Sequence, residues 1–183
     1  MTKSDFRFTF KPVTLSECEW LIDSLKQDYI CEWLHGQGLK NLLFGLDKFI
    51  NAPDDEKITA HWLGYDREVP FVYLLTSNVS KDEPNEYAKY SELKGSAITL
   101  DIFILNPDYL GKGLAPLIIK EFLLNQFPRV TEVFIDPEQS NKRAVHVYQK
   151  TGFRIVGEFV ASWHPVPHYV MKLKLQDISL TID

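Results

Sequence analysis

Hydrophobic and polar residues recur with regular periods along most of this chain, so its secondary structure can be predicted element by element. Alternating aromatic residues at positions 6, 8 and 10 predict a first strand that ends at residue 12. Thr14 and Glu17 have the spacing of a capping box, and the apolar spacing after them predicts a helix to near residue 27. A second helix is predicted over residues 39–50, with an apolar stripe along one face.

The middle of the chain alternates between β-rich runs and polar stretches. Residues 58–65 and 69–76 flank a polar triplet at 66–68, a pattern typical of an antiparallel hairpin. Residues 77–95 are too hydrophilic for a core, which favours a surface loop that either has a role or is merely tolerated in solvent. Residues 97–105 predict a central strand.

The last third of the chain continues with helices and strands in turn. A helix is predicted over residues 111–127 and a short strand over 130–135. A helix over residues 140–150 stops at a glycine, and two closing strands follow at 153–160 and 169–175. The predicted order is β-α-α-β-β-β-α-β-α-β-β, without an internal repeat.

The bulk properties of the chain narrow the classes of protein to consider. Its 183 residues, 45% of them hydrophobic, suffice for one continuous core, so we expect a single domain over residues 1–183. The formal net charge of −5 argues against general binding to nucleic acid and suits a small cationic substrate. The sequence has neither the apolar core of a signal peptide nor a run long enough to span a membrane, so we expect a cytoplasmic protein.

Cysteine and histidine give no sign of a metal or disulfide framework. Cys18 and Cys31 are the two cysteines, and neither has the spacing of a zinc ligand. His164 and His168 flank a proline-rich segment that offers no third ligand. We therefore expect reduced thiols and no bound metal.

The predicted strand at residues 97–105 leads into a glycine-bearing turn and the start of a helix. Such a turn offers backbone N–H groups to an anion at the positive end of the helix dipole. Gly111 and Gly113 would let the backbone approach a bulky pyrophosphate, and Lys112 would add charge. The segment has neither a Walker ending nor the GxGxxG pattern, which disfavours nucleotide hydrolases and dinucleotide binding. Taken alone, two glycines at a helix start are more often a packing solution than a ligand site.

Motifs downstream of the turn form a second pattern. They are Asp136-Pro137, Ser140-Asn141, Arg143-Ala144 and Tyr148-Gln149-Lys150-Thr151-Gly152-Phe153. Together with Leu110-Gly111-Lys112-Gly113-Leu114, these motifs resemble the GNAT superfamily of N-acetyltransferases. Within it the sequence is most similar to the aminoglycoside 6'-N-acetyltransferases, over residues 32–171.

The resemblance implies a fold and a co-substrate. The implied fold is the α/β (α+β) GNAT fold, in which about four helices flank a mixed, mostly antiparallel central sheet of about seven strands. Its strands 4 and 5 splay apart, and the pantetheine arm of acetyl-CoA lies in the gap. The implied residues for acetyl-CoA are Ile102, Phe103, Ile104, Leu110, Gly111, Lys112, Gly113, Leu114, Ala115, Asp136, Asn141, Ala144 and Lys150.

The resemblance also implies a catalytic base and a catalytic acid. A protonated amine cannot attack a thioester, so a base must take its proton, and Asp101 stands ten residues before Gly111, as in the aminoglycoside enzymes. A carboxylate in mid-strand is costly unless it has a partner or faces a wet cleft, so the alternative for Asp101 is an ion-paired strand residue. Tyr148 is implied as the proton donor to the departing thiolate, and its alternative is apolar packing.

Acidic and aromatic residues are implied for the acceptor, where they suit a polyamine sugar. They are Glu32, Trp33, Glu83, Glu86, Tyr87 and Tyr90, together with Asp101. Residues 83–90 depart from the tryptophan- and aspartate-rich loop of the family. The implied activity is acetyl transfer to a primary amine of an aminoglycoside, as in antibiotic resistance, by a monomer or homodimer. The alternatives are transfer to another amine or hydroxylamine, such as a siderophore precursor, and an acyl-CoA-binding module without catalysis.

Overall fold

The computed structural model of the protein describes residues 8–53, 56–80, 85–92, 95–161 and 164–178. The strands are β1 (Phe8–Pro12), β2 (Thr59–Asp66), β3 (Val69–Asn78), β4 (Ala97–Ile104), β5 (Glu132–Ile135), β6 (Arg154–Ala161) and β7 (His164–Lys174). The α-helices are α1 (Cys18–Leu25), α2 (Asp28–Leu34), α3 (Gln37–Asn51), α4 (Ala115–Gln126) and α5 (Lys142–Thr151). Short 3₁₀ turns connect several of these elements.

The strands form one mixed sheet in the order β1-β2-β3-β4-β5-β7-β6. Antiparallel pairing joins β1 to β2, β2 to β3, β5 to β7 and β6 to β7. The parallel pairing of β4 with β5 covers residues 97–99 opposite residues 132–134. The predominance of antiparallel pairs agrees with the expected sheet.

The chain divides into two compact units. The first comprises Met1–Ser77 and Asp101–Leu110, and the second comprises Asn78–Leu100 and Gly111–Asp183. The boundaries fall inside β3 and β4 as well as in the turn after Leu110. The single domain expected from the sequence stays a prediction.

The core of the first unit lies between α1, α2, α3 and strands β2 and β3. Its buried members are Val13, Leu21, Leu25, Ile30, Leu42, Leu46, Leu63, Tyr73, Leu75 and Leu105. Each aliphatic side chain buried in this way contributes about 2 kcal/mol to folding. The capping box before α1 is confirmed, because the N–H of Thr14 donates to the carboxylate of Glu17 at 2.8 Å.

Helix α2 is the element that the sequence pattern does not predict. This helix is short, and Ile30 is its one buried residue. Gln27 at its start makes no side-chain capping bond. The sequence therefore shows neither an apolar stripe nor a capping residue that would predict the helix. The helix ends at His35, whose φ of 44° lies in the left-handed region. The described chain therefore has five α-helices where about four were expected, and Glu32 and Trp33 lie on α2.

The second unit has its own apolar core. Helix α4 buries Leu117, Ile118, Ile119, Phe122 and Leu123. Another cluster comprises Ala97, Phe134, Val170, Val79, Tyr87, Tyr90, Val156 and Phe159. Strand β7 begins well before the predicted residue 169, because β6 pairs with it through the proline-rich segment.

A buried ion pair fastens the polar segment before β4 to the sheet. Glu132 is only 3% exposed, and its carboxylate lies 3.1 Å from Nζ of Lys172. The same carboxylate accepts hydrogen bonds from the Ser91 hydroxyl at 2.8 Å and from the Glu92 N–H at 2.9 Å. Lys172 also donates to the carbonyl of Tyr90 at 3.0 Å. The described part of the predicted surface loop is thus anchored rather than merely solvated.

Replacing Glu132 by Gln should lower the free energy of unfolding by about 3 kcal/mol, because Lys172 then loses its buried counter-charge. Urea unfolding measures the change. The matched control is Glu92→Gln, which removes a carboxylate that also lies near Lys172 but is 58% exposed, and it should change stability by less than about 1 kcal/mol. Equal losses in the two variants would contradict the anchoring role of Glu132.

Candidate functional site

The glycine turn is the part of the second unit best suited to an anion. Gly111 and Gly113 have φ values of 72° and 67°, and a Cβ added at either would meet nothing within 4 Å. Within the described part of the chain, the N–H groups of Gly111, Gly113, Leu114 and Ala115 donate to no backbone carbonyl. Helix α4 begins at Ala115 rather than at the predicted residue 111, because the left-handed glycines interrupt the helical backbone. Backbone N–H donors at the start of a helix are suited to binding an anion.

The segment that leads into the turn is held within the first unit. The side chain of Asn106 accepts a hydrogen bond from the N–H of Asp108, and the N–H of Leu110 donates to Pro107 at 3.0 Å. The Tyr109 hydroxyl donates to Asp66 at 3.1 Å, at the hairpin end of β2, and its ring lies 4.4 Å from that of Phe71. The sequence pattern does not predict the bond between Tyr109 and Asp66, because the two residues are far apart in the chain.

Asp101 lies in mid-strand in β4 and is exposed, whereas its neighbour Leu100 is buried. Surrounding protein nevertheless removes water from the carboxylate, and this burial raises its pKa from the ordinary value of 3.8 to about 6. Exposure of the residue and desolvation of its carboxylate are compatible if the group is recessed, because solvent then reaches it but cannot fully hydrate it. Such a carboxylate can take up a proton near neutral pH.

The end of β4 is also fixed by the first unit. Ile102, Phe103 and Ile104 are half-buried, and Phe103 packs against the core of this unit. The hydroxyl of Tyr29 on α2 donates to the carbonyls of Ile104 and Leu105, each at 3.0 Å. Tyr29 gives no signal in the sequence, since the helix that carries it was not predicted.

In the second unit, Asn141, one of the residues implied for acetyl-CoA, immediately precedes α5. The side-chain oxygen of Asn141 accepts a hydrogen bond from the N–H of Ala144 at 3.0 Å and so caps the helix. A role toward pantetheine would therefore fall to the amide nitrogen of Asn141. Asp136, which follows β5, is half-buried.

Two further predicted residues lie near the end of α5. Tyr148 is half-buried, and its ring lies 6.0 Å from that of Phe153. Lys150 is exposed in the last turn, where its charge is favourable to the helix dipole. The contact of Tyr148 fits apolar packing of the ring and leaves its predicted role as an acid untested.

The predicted acceptor residues are divided between the two units. Glu32 and Trp33 are exposed on α2 in the first unit. In the second unit Glu86 is exposed, the ring of Tyr87 lies 5.7 Å from that of Phe134, and Tyr90 lies so close to Gly157 that a Cβ there would collide with its hydroxyl. Glu83 lies outside the described residues. The two tyrosines therefore have packing roles in the second unit.

Among the described residues there is neither a cluster of metal ligands nor a membrane-spanning helix. No three His, Cys, Asp or Glu side chains in this part of the chain are grouped so as to hold a metal ion. None of the helices formed by these residues has the length and apolar character needed to cross a membrane. The cytoplasmic location and the monomeric or homodimeric state stay predictions.

Comparisons with known proteins agree with this geometry. The model of the acetyltransferase (GNAT) domain family matches residues 26–161. An aminoglycoside N(6')-acetyltransferase type 1 from Klebsiella pneumoniae is 26% identical over 185 residues, which cover 93% of this chain and 85% of that protein.

The chain is also similar to solved structures of aminoglycoside acetyltransferases. The crystal structure of an aminoglycoside N(6')-acetyltransferase from Legionella pneumophila is 49% identical, covers 94% of both chains and superposes with a TM-score of 0.83. An aminoglycoside acetyltransferase solved with coenzyme A and kanamycin shares the fold at 22% identity, with a TM-score of 0.72 over 93% of this chain and 96% of that one. These likenesses confirm the predicted fold class. Since the family model covers more than half of the residues, the chain belongs to the GNAT acetyltransferase family.

Proposed function

We propose that the protein transfers the acetyl group of acetyl-CoA to the 6'-amine of an aminoglycoside. The observation that carries this proposal is the 49% identity, over 94% of both chains, with a protein named for that activity. A net charge of −5 favours a polycationic acceptor over an anionic one. The acceptor amine must reach a base that removes its proton, and the thiolate leaving group needs an acid.

The glycine turn fits the pyrophosphate of acetyl-CoA. When bound, acetyl-CoA supplies the thioester that the amine attacks. The N–H groups of Gly111, Gly113, Leu114 and Ala115 and the positive end of the α4 dipole would hold its phosphates. Gly111 and Gly113 leave free the space that a Cβ would fill. Lys112 is exposed beside them and adds a positive charge.

Several further residues are proposed to hold the co-substrate. Ile102, Phe103 and Ile104 would pair with the pantetheine arm, although the Ile104 carbonyl already accepts from Tyr29. The remaining residues proposed for acetyl-CoA are Leu110, Asp136, Asn141, Ala144 and Lys150. Backbone pairing of this kind depends on the strand conformation and tolerates most side chains.

Asp101 is proposed to bind the ammonium group and then take its proton. Its carboxylate is exposed to solvent and therefore accessible, and its raised pKa brings its proton affinity closer to that of an amine. Tyr148 is proposed to return a proton to the departing thiolate. A phenol with an unperturbed pKa of about 10 can donate to a thiolate whose conjugate acid has a pKa of about 8.5 only when the two are held together.

Recognition of the acceptor is proposed for Glu32, Trp33 and Glu86, whose exposed side chains suit a sugar with several amines. Glu83 belongs to the same proposal. Tyr87 and Tyr90 contribute indirectly, because their rings pack within the second unit and position the segment that carries Glu86.

Acetyl transfer is tested with a panel of acceptors and detection of free CoA thiol. An aminoglycoside with a 6'-amine should be turned over, and its counterpart with a 6'-hydroxyl should react at least about a hundredfold more slowly, because the nucleophile is missing. Turnover restricted to a hydroxylamine or a linear polyamine would replace the proposed substrate class. Binding of acetyl-CoA without turnover of any amine would indicate a binding module.

The role of Asp101 predicts the pH dependence of kcat/KM. The carboxylate must be ionised to accept a proton, so activity is retained above about pH 6 and falls roughly tenfold per pH unit below it. Asp101→Asn should lower kcat by about 10²- to 10⁴-fold while calorimetry finds acetyl-CoA affinity nearly unchanged. Retained turnover in Asp101→Asn would remove the residue from the mechanism.

The glycine turn predicts a selective loss of co-substrate affinity. Gly113→Ala should weaken acetyl-CoA binding by about tenfold, since an alanine at positive φ strains the turn and its Cβ occupies the approach to the backbone donors. Gly36→Ala is the matched control, because Gly36 also has a positive φ with open space around it but lies in the first unit at the start of α3. Both variants should lose stability, and only Gly113→Ala should lose affinity in calorimetry; equal affinities would contradict the proposed site.

A further inference from the structure

A buried histidine–tyrosine pair in the first unit has no part in the proposed chemistry. His61 on β2 and Tyr73 on β3 are both 0% exposed, and Nδ1 of His61 lies 2.5 Å from the hydroxyl oxygen of Tyr73. The rings of Phe49 and Phe103 pack against the pair, at 5.1 Å from His61 and 6.2 Å from Tyr73. Placing two polar groups in apolar surroundings is costly, which calls for a compensating role.

The imidazole of His61 is neutral at physiological pH. Burial lowers its pKa from 6.5 to about 4, so one ring nitrogen carries a hydrogen and the other accepts. Its Nε2 is buried and has no hydrogen-bond partner among the described residues. The direction of the hydrogen bond with Tyr73 therefore depends on which nitrogen carries the hydrogen.

Strand register places this pair beside Asp101. His61 is paired with Leu75 across β2 and β3. The N–H of Leu105 donates to the carbonyl of Phe71, and counting inward along the antiparallel strands sets Leu75 opposite Asp101. His61, Leu75 and Asp101 thus form one row on a single face of the sheet.

Tyr73 lies on β3 two residues before Leu75, in the neighbouring row of the same face. Side chains two residues apart on a strand share a face, so Tyr73 lies on the same face as Leu75, and its ring meets that of Phe103 across β3 and β4. Its hydroxyl lies within hydrogen-bond distance of His61, so the Tyr73 side chain leans toward the row that contains His61 and Asp101.

The charges around the pair agree with this placement. Burial raises the pKa of Tyr73, and the negative charge of Asp101 raises it further, followed by Cys18 of α1. Burial raises the pKa of Cys18, and the charges of Glu17 and of Asp47 on α3 raise it further, so this thiol stays protonated. Asp101 is thus the anion that acts most strongly on the Tyr73 hydroxyl, and an anion favours O–H and N–H dipoles that point toward it.

We propose that Tyr73 is a positioning residue for Asp101: Nδ1–H of His61 donates to the Tyr73 hydroxyl oxygen, and that hydroxyl directs its own hydrogen toward the Asp101 carboxylate. The assignment rests on the proposed role of Asp101 as the base. It leaves Nε2 of His61 as an unprotonated acceptor in the apolar core, so no buried N–H is left without a partner. The pair then supports the ionised carboxylate from the side of the protein, without touching the acceptor amine.

Tyr73→Phe tests the proposal through the pH profile. Loss of the hydroxyl dipole that favours the ionised carboxylate should move the acid limb of kcat/KM to higher pH by about one unit, with acetyl-CoA affinity unchanged. Tyr65→Phe is the matched control, because Tyr65 belongs to the same cluster but its hydroxyl donates to Glu17. An acid limb that stays in place in a folded Tyr73→Phe protein would overturn the proposal.

A second measurement does not depend on turnover or on the folding of Tyr73→Phe. Nitrogen-15 NMR of histidine in the wild-type protein reports which ring nitrogen of His61 carries the hydrogen. We expect the Nδ1–H form in the wild type and a larger share of the Nε2–H form in Asp101→Asn, where the orienting charge is gone. An Nε2–H form in the wild type would overturn the proposal.

The two measurements also separate this proposal from the one on which it rests. Loss of turnover in Asp101→Asn together with an unmoved acid limb in Tyr73→Phe would refute the role of Tyr73 and leave Asp101 as the base. Full turnover in Asp101→Asn would refute the base and with it the positioning role. A shifted acid limb together with the Nδ1–H form would establish the positioning role.

Discussion

Successive side chains of a strand point to opposite faces of a sheet, and in β4 this rule decides what surrounds Asp101. Leu100 is buried on one face, whereas Asp101 and Phe103 share the other. That second face is continuous with Tyr73 of β3 and His61 of β2, so the one carboxylate of the strand lies at the margin of an apolar cluster. A shift of one residue in register would turn Asp101 to the opposite face.

Partial desolvation makes the Asp101 carboxylate a stronger proton acceptor. An ordinary aspartate, with a pKa of 3.8, is a weak proton acceptor, whereas burial raises the pKa of Asp101 to about 6. Further desolvation would raise the pKa more and leave the group protonated at neutral pH. The proposed hydroxyl dipole of Tyr73 opposes such a rise, because it favours the anion and adds no positive charge that would repel an ammonium substrate.

Irregular segments next to the proposed site are held by buried or half-buried polar groups. Tyr29 donates to two carbonyls at the end of β4, Tyr109 links the segment before the glycine turn to Asp66, and Glu132 fixes the segment before β4 through Lys172. Each of these interactions orders a backbone that lacks regular hydrogen bonds. The conformation of the segments that carry the proposed site residues therefore depends also on side chains outside the glycine turn and the family motifs.

Local pattern alone determined most elements of this protein. The β-rich runs beside a polar triplet predicted β2 and β3, the capping box predicted α1, and the two glycines predicted the turn before α4. Each of these signals depends on neighbouring residues only. The family resemblance of the motifs between residues 110 and 153 sufficed to predict the GNAT fold and acetyl-CoA as the co-substrate. Helix α2 escaped prediction because a single buried residue leaves no stripe to detect.

Only the tertiary structure decided which residues meet across the strands. The family resemblance implies Tyr87 and Tyr90 as acceptor residues. In the structure their side chains also pack within the second unit, near Phe134 and Gly157. His61 has no distinctive signal in the sequence, and strand register places it in the row of Asp101. The physical reason is common to both cases: hydrogen-bonded register and burial join residues far apart in the chain, and local periodicity contains no information about either.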